Sequence, residues 1–314
     1  MVKAKPSALS KRNLPQRFIF SIQKYWVLYL MLLPMLLFFV IFHYVPMGGI
    51  VVAFQNYRPA RGIMGSDWVG LQHFRDFFGS PFFGRIFRNT LHINLWLLLF
   101  GFPANIIFAL FLNEVGSKIF KKWVQTATFM PHFISVVVAA SITRMFVARF
   151  GIINDIRAFF GLDRIVFLME AGYFQPIFVI SGIWQSLGFG SIIYIAALAS
   201  ISVELYDAAI VDGAGRLRRI WHVSIPGIMP TIIIMLILAI GGMASLGPER
   251  ILLLYNAAIY ERADVISTFV FRLGIADGRT SFGAAVGLFN SVINFVLLIA
   301  ADRIAKMAGQ TGLF

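Results

Sequence analysis

The residues best suited to chemistry in this sequence are uncharged hydrogen-bonding groups set beside aromatic rings. Trp184 and Gln185 are adjacent, and Asn290 and Asn294 stand four apart, which puts the two asparagines on one face of any helix that carries them. Such groups suit a polyhydroxylated solute, because aromatic faces pack on apolar ring faces and amides pair with hydroxyls. The same amides serve equally well in hydrogen bonds between helices. Groups for covalent or metal chemistry are sparse. His43, His73, His92, His132 and His222 are scattered, with no HExxH and no i, i+4 pair, and read as interfacial or packing histidines. The absence of cysteine excludes disulfides, thiolate ligands and a cysteine nucleophile. There is no G-x-x-x-x-G-K-[ST]: Gly116-Ser117-Lys118 is the nearest approach and lacks the spacing. There is no G-x-S-x-G either. The carboxylates fall mostly outside the apolar runs, which argues against a membrane hydrolase or a proton relay. Arg144 is the one clear charge within an apolar run, close enough to its end to snorkel.

Composition sets the elements that must hold these groups. Of 314 residues, 59% are hydrophobic and 13% charged, and the mean hydropathy is +0.81. Soluble domains are about 45–50% apolar and about 25% charged, so the excess calls for a bilayer. A hydrocarbon core about 30 Å thick takes about 20 apolar residues per helix. Six spans are predicted on that basis, at 27–47, 90–113, 123–146, 174–199, 227–246 and 282–301. The first run is longer than a signal-peptide core and no A-x-A site follows it, so it reads as a retained span. Pro34, Pro103 and Pro131 mark expected kinks. Gly283-x-x-x-Gly287 marks an expected close helix crossing, and Gly241-Gly242 has the same small-residue character. Trp184 and Gln185 then lie in the fourth span, Asn290 and Asn294 in the sixth.

Charge placement orients the spans. All eight lysines (Lys3, Lys5, Lys11, Lys24, Lys118, Lys121, Lys122 and Lys306) fall before the first span, between the second and third, or after the last. Six spans put these regions on one side, and Arg216, Arg218 and Arg219 join them there. By the positive-inside rule that side is cytoplasmic. The opposite loops mix signs, as in Glu249, Arg250, Glu261, Arg262 and Asp264. The net charge of +13 is therefore a topology signal and does not call for nucleic acid. Residues 1–26 form a basic cytoplasmic segment, 27–303 the transmembrane domain, and 304–314 a cytoplasmic tail. Within the domain, 55–89 is rich in Phe and Arg and is expected to form short amphipathic helices on the outer membrane surface.

The 200–226 loop carries the strongest local pattern. It reads Leu205-Tyr206-Asp207-Ala208-Ala209-Ile210-Val211-Asp212-Gly213-Ala214-Gly215, then Arg216 to Ser224, then Ile225-Pro226. A short helix over 203–212 is predicted, ended by Gly213 or Gly215 in a left-handed conformation. Small Ala208 and Ala209 would let that helix seat closely in a partner. On the residues alone an ordinary hairpin between two spans fits equally well.

This stretch resembles the E-A-A---D-G-A---------I--P motif of permease subunits in binding-protein-dependent ABC importers. Asp207 stands in place of the motif's Glu, and Ala208, Ala209, Asp212, Gly213, Ala214, Ile225, Pro226 and Pro230 fall at matching positions. Trp68-Val69-Gly70-Leu71-Gln72-His73-Phe74 is similar to the G-L-x-N-F segment of sugar permeases, with His73 in place of Asn. Met130-Pro131-His132-Phe133-Ile134-Ser135 and Gly188-Phe189-Gly190-Ser191-Ile192-Ile193-Tyr194 resemble the branch that imports oligo- and polysaccharides, alginate importers included.

The resemblance implies an all-α integral membrane permease of six spans with both termini cytoplasmic, in the bacterial inner membrane. It implies that Tyr206, Asp207, Ala208, Ala209, Asp212, Gly213, Ala214 and Pro226 couple the chain to an ATPase subunit. The expected partners are a second, distinct permease, two ATP-binding subunits, an extracytoplasmic binding protein, membrane lipid and a saccharide, an acidic one included. No cofactor is expected in this chain, and ATP with Mg belongs to the ATPase subunits, so the chain is not itself an enzyme. Trp184, Gln185, Asn290 and Asn294 are the expected pathway residues. A receptor or scaffold that senses ligand without moving it is the alternative.

Overall fold

A computed structural model describes residues 14–309, 312 and 313, with side chains from residue 23 onward; the basic stretch 1–13 lies outside the described residues. Six helices among them are long and apolar enough to cross a membrane: Gln23–Phe54, Phe83–Asn113, Val136–Phe159, Ala171–Ala199, Arg216–Gly241 and Thr280–Met307. Every residue from Gln23 to Gly48 is exposed. The chain first packs inward at Val52 and Ala53, in a 3-10 turn that lies along the Thr280–Met307 helix.

Three of these helices share one device. Widened π turns occupy Val40–Tyr44, Leu97–Gly101 and Ile220–Ser224, and each ends two residues before a proline, at Pro46, Pro103 and Pro226. A proline ring clashes with the carbonyl four residues back and removes a hydrogen bond there. A turn with one extra residue relieves that clash while the helix continues. Pro34 lacks such a turn: the helix runs through it, and the backbone departs from helical angles at Tyr25 instead (φ −119, ψ 25).

The third span differs from expectation. The predicted 123–146 helix is split, because Pro131 sits in a 3-10 turn over Met130–Phe133 and Ile134 is extended (ψ 135). Ser135 then starts a new helix, its Oγ accepting from the Val138 amide at 3.3 Å. The amphipathic Lys118–Phe129 helix, capped by Ser117, stands apart from that span. The last helix runs on to Met307, past the predicted end at 301, with Lys306 paired to Asp302 at 2.9 Å.

The 55–89 stretch holds a ribbon beside one short helix. Gln55–Asn56 pairs with Asp67–Trp68 as a two-stranded antiparallel ribbon. The Gln72–Phe78 helix follows, and from Phe83 the chain already belongs to the second span. Phe77 turns inward while Phe78 and Phe82 stay exposed; Phe77, Ile86, Ile266, Phe269, Phe282 and Val286 form one buried cluster, flanked by Phe83, Phe87 and Phe289. Below it lies a buried charge clamp. Asp264, wholly buried, accepts from Arg272 at 2.8 Å and Arg85 at 3.4 Å. Gly283 meets Gly274 across this region, each needing the other's bare backbone, whereas Gly287 meets nothing.

Candidate functional site: a polar cavity and a capped terminal helix

A cavity of about 590 Å³ lies between the second, fourth and fifth spans, within the range that holds a small ligand. One face is the Ala171–Ala199 helix, which presents Gly182, Ser186, Gly190 and Tyr194 at successive turns. The second span supplies Asn94, Leu97, Leu98, Gly101, Phe102 and Asn105. The two glycines are there for space. A Cβ at Gly182 would sit 2.6 Å from Nη1 of Arg250, and one at Gly190 would sit 2.7 Å from Nδ2 of Asn105. Both polar side chains thus lie flat on bare backbone.

Arg250 comes from the short Pro248–Leu254 helix between the fifth and sixth spans. Its guanidinium lies 5.0 Å from the Phe178 ring centre and donates from Nη1 to the Phe178 carbonyl at 3.4 Å. Burial pushes its pKa down from the ordinary arginine value. The starting value is so high that the group stays charged.

The predicted pathway residues fall elsewhere. Trp184 points to a separate, apolar cavity among Ile142, Phe146 and Ile180. Gln185 is buried and donates to the Ile134 carbonyl at 3.1 Å, satisfying the backbone where the third span breaks. Asn294 serves the end of the fifth span, accepting from the Ala244 amide at 2.8 Å and donating to Ser245. Asn290 shares that helix face, and its buried Oδ1 has no partner among the described residues. None of the four lines the 590 Å³ cavity. Two quoted segments do meet: the His132 ring stacks on Phe189 at 3.9 Å, and Gly188 lies against the Thr128 carbonyl. Arg144, expected to snorkel, donates to the Leu253 carbonyl at 3.2 Å. His73 bonds the Gln55 carbonyl at 3.1 Å, fixing the ribbon to the helix that follows.

The 200–226 loop forms the helix Val203–Val211, capped by Ser202. It ends in a full Schellman motif: the Gly213 amide donates to Ile210 at 3.0 Å and the Ala214 amide to Ala209 at 2.8 Å. Gly213 holds the left-handed φ of +74 that this requires. Val203, Leu205, Ile210 and Val211 are exposed. Asp207, Ala208 and Asp212 are exposed with them, as is Pro226 at the base of the fifth span, and Ala209 is half-buried. Two polar side-chain contacts join the loop to the spans. The Tyr206 hydroxyl meets the buried Ser224 Oγ at 3.0 Å, inside the π turn before Pro226. Arg219 pairs with Glu114 at 3.1 Å, both side chains mostly buried, tying the fifth span to the end of the second.

Six long apolar helices among the described residues, a cavity between them that bears a few polar groups, and an exposed capped helix define a multi-pass membrane permease. The chain belongs to the family described as binding-protein-dependent transport system inner membrane components, whose profile matches residues 101–308. It is 45% identical to the protein LplB of Bacillus subtilis (strain 168) over 288 residues, 91% of each chain. It is 40% identical to the polygalacturonan/rhamnogalacturonan transport system permease protein YteP of the same organism, covering 98% of this chain and 96% of that one. Among solved structures, it resembles a chain of a bacterial alginate ABC transporter in complex with an alginate pentasaccharide-bound periplasmic protein. The TM-score is 0.86 and the identity 41%, over 95% of this chain and all of the other. The chain is thus the permease subunit of an ABC sugar importer.

Proposed function

We propose that this chain forms half of the translocation path for an acidic oligo- or polysaccharide and takes its drive from ATPase subunits through the Val203–Val211 helix. In this reading a second permease supplies the other half. Two subunits that bind ATP and Mg dock on the side bearing the lysines, which is cytoplasmic along with both termini. An extracytoplasmic binding protein delivers the saccharide to the opposite side. The observation that carries the coupling role is the capped helix itself. It is rigidly ended by Gly213, exposes apolar side chains to no partner in its own chain, and is bonded through Tyr206 to the start of a span. Closure of a docked ATPase would move this helix, and Tyr206–Ser224 and Arg219–Glu114 would pass the shift into the fifth and second spans. The acidic substrate is favoured by two similar proteins, one named for polygalacturonan and one for alginate.

The test is binding-protein-dependent uptake by the complete complex in vesicles. Asp207→Ala and Gly213→Val are each expected to lower uptake and saccharide-stimulated ATP hydrolysis roughly tenfold, the size of an ordinary coupling energy, while all subunits still purify together. Normal uptake in both variants would remove the coupling assignment. A wild-type complex that hydrolyses ATP in response to saccharide yet accumulates none would instead be a receptor.

A further inference from the structure

Within its own chain Arg250 meets the ring and carbonyl of Phe178 but no counter-charge among the described residues. It is the single charged group among the residues lining the 590 Å³ cavity, and that lining holds no carboxylate. Arg250 forms no ion pair among the described residues, and its one hydrogen bond is long at 3.4 Å. Other partly buried arginines differ: Arg272 and Arg85 share Asp264, and Arg219 has Glu114. A cation within a membrane protein is costly without a counter-charge. Here the fold makes room for it, since a Cβ at 182 would sit 2.6 Å from Nη1 and push the guanidinium from its place. Along the same helix face stand Ser186, the Asn105 amide lying over Gly190, and the Tyr194 ring. The Ser186 hydroxyl spends its proton on the Gly182 carbonyl at 2.8 Å, which leaves its oxygen to accept. A single cation followed at helical spacing by neutral hydrogen-bonding groups matches a solute with one carboxylate per polyhydroxylated ring.

We propose that Arg250 receives a substrate carboxylate in this cavity, with Ser186, Asn105 and Tyr194 meeting the ring hydroxyls, so that Arg250 selects uronate sugars over neutral ones. This rests on the importer reading above. A guanidinium suits the role because it pairs with a carboxylate through two parallel N–H···O bonds.

The experiment measures uptake of a labelled oligouronate and of a neutral oligosaccharide by the complete complex in vesicles, with the same wild-type binding protein in every assay. R250Q is expected to lower kcat/KM for the oligouronate about tenfold or more, the scale of a lost charge-assisted hydrogen bond, with R250K intermediate because it keeps the charge. If the wild type imports neither saccharide, the importer reading itself fails. If it imports only the neutral one, the uronate assignment fails and the importer stands. If R250Q matches the wild type, or if R250Q and R250K lose equally, Arg250 is a packing or subunit-contact residue and the proposal is overturned. Should R250Q not assemble, G182A keeps the charge but displaces the guanidinium. It is expected to lower oligouronate uptake, and unchanged uptake there overturns the proposal as well.

Discussion

Tyr206 is the mechanical link, because its hydroxyl makes the one side-chain hydrogen bond between the capped helix and the fifth span among the described residues. Tyr206→Phe keeps the ring and removes that bond, which is worth about 1 kcal/mol in net stability. Its expected signature is fewer saccharides imported per ATP hydrolysed, read by measuring both rates in one vesicle preparation. An unchanged ratio would mean that the link runs elsewhere. This helix was legible in the sequence because its signals are local: Ser202 begins it, Gly213 ends it, and both act within a few residues. The cavity was not legible, for a geometric reason. Each step along a helix turns the side chain by about 100°, so Trp184 and Gln185 face away from the stripe that Gly182, Ser186 and Gly190 share. Arg250 was read as one charge in a mixed-sign loop, and nothing local marks the return of that loop between the spans.

At the scale of elements, the sequence reports length well and interruption poorly. Five of the predicted spans coincide with long apolar helices, because 20 apolar residues have few other uses. The third was misplaced because Trp123 through Phe129 is apolar enough to count, and the break depends on Pro131 together with Ser135. The prolines show the same lesson more finely. Pro103 sits behind a widened turn, whereas Pro34 does not, and the difference lies in one residue of helix length. Deleting Leu99 alone would return Pro103 to a regular turn and its clash, and is expected to lower the thermal midpoint by roughly 6 °C or more. Deleting Leu99 with Pro103→Ala removes both the extra residue and the reason for it. The double variant is expected to recover most of that loss, as measured by thermal unfolding in detergent. No recovery would show that the turn is held open by packing instead.

At the scale of the molecule, the chain divides at Gly48. Before it, every described side chain from Gln23 is exposed; after it, Val52 and Ala53 enter the packed body. Removing residues 1–47 is therefore expected to shift the thermal midpoint of the remaining helices by no more than about 2 °C, as for other changes to exposed surface. A large drop in circular-dichroism melts would show that the first span supports the rest. The packed body has the opposite character. Its aromatic cluster joins Phe77 and Ile86, near the beginning, to Phe282 and Val286, in the last helix. The chain is made in order and domains fold as they emerge, so Phe77 must wait for a partner synthesised almost at the end. Until then its surface is open to lipid, to chaperones or to another nascent chain. The first span, with no such appointment to keep, is finished as soon as it is inserted.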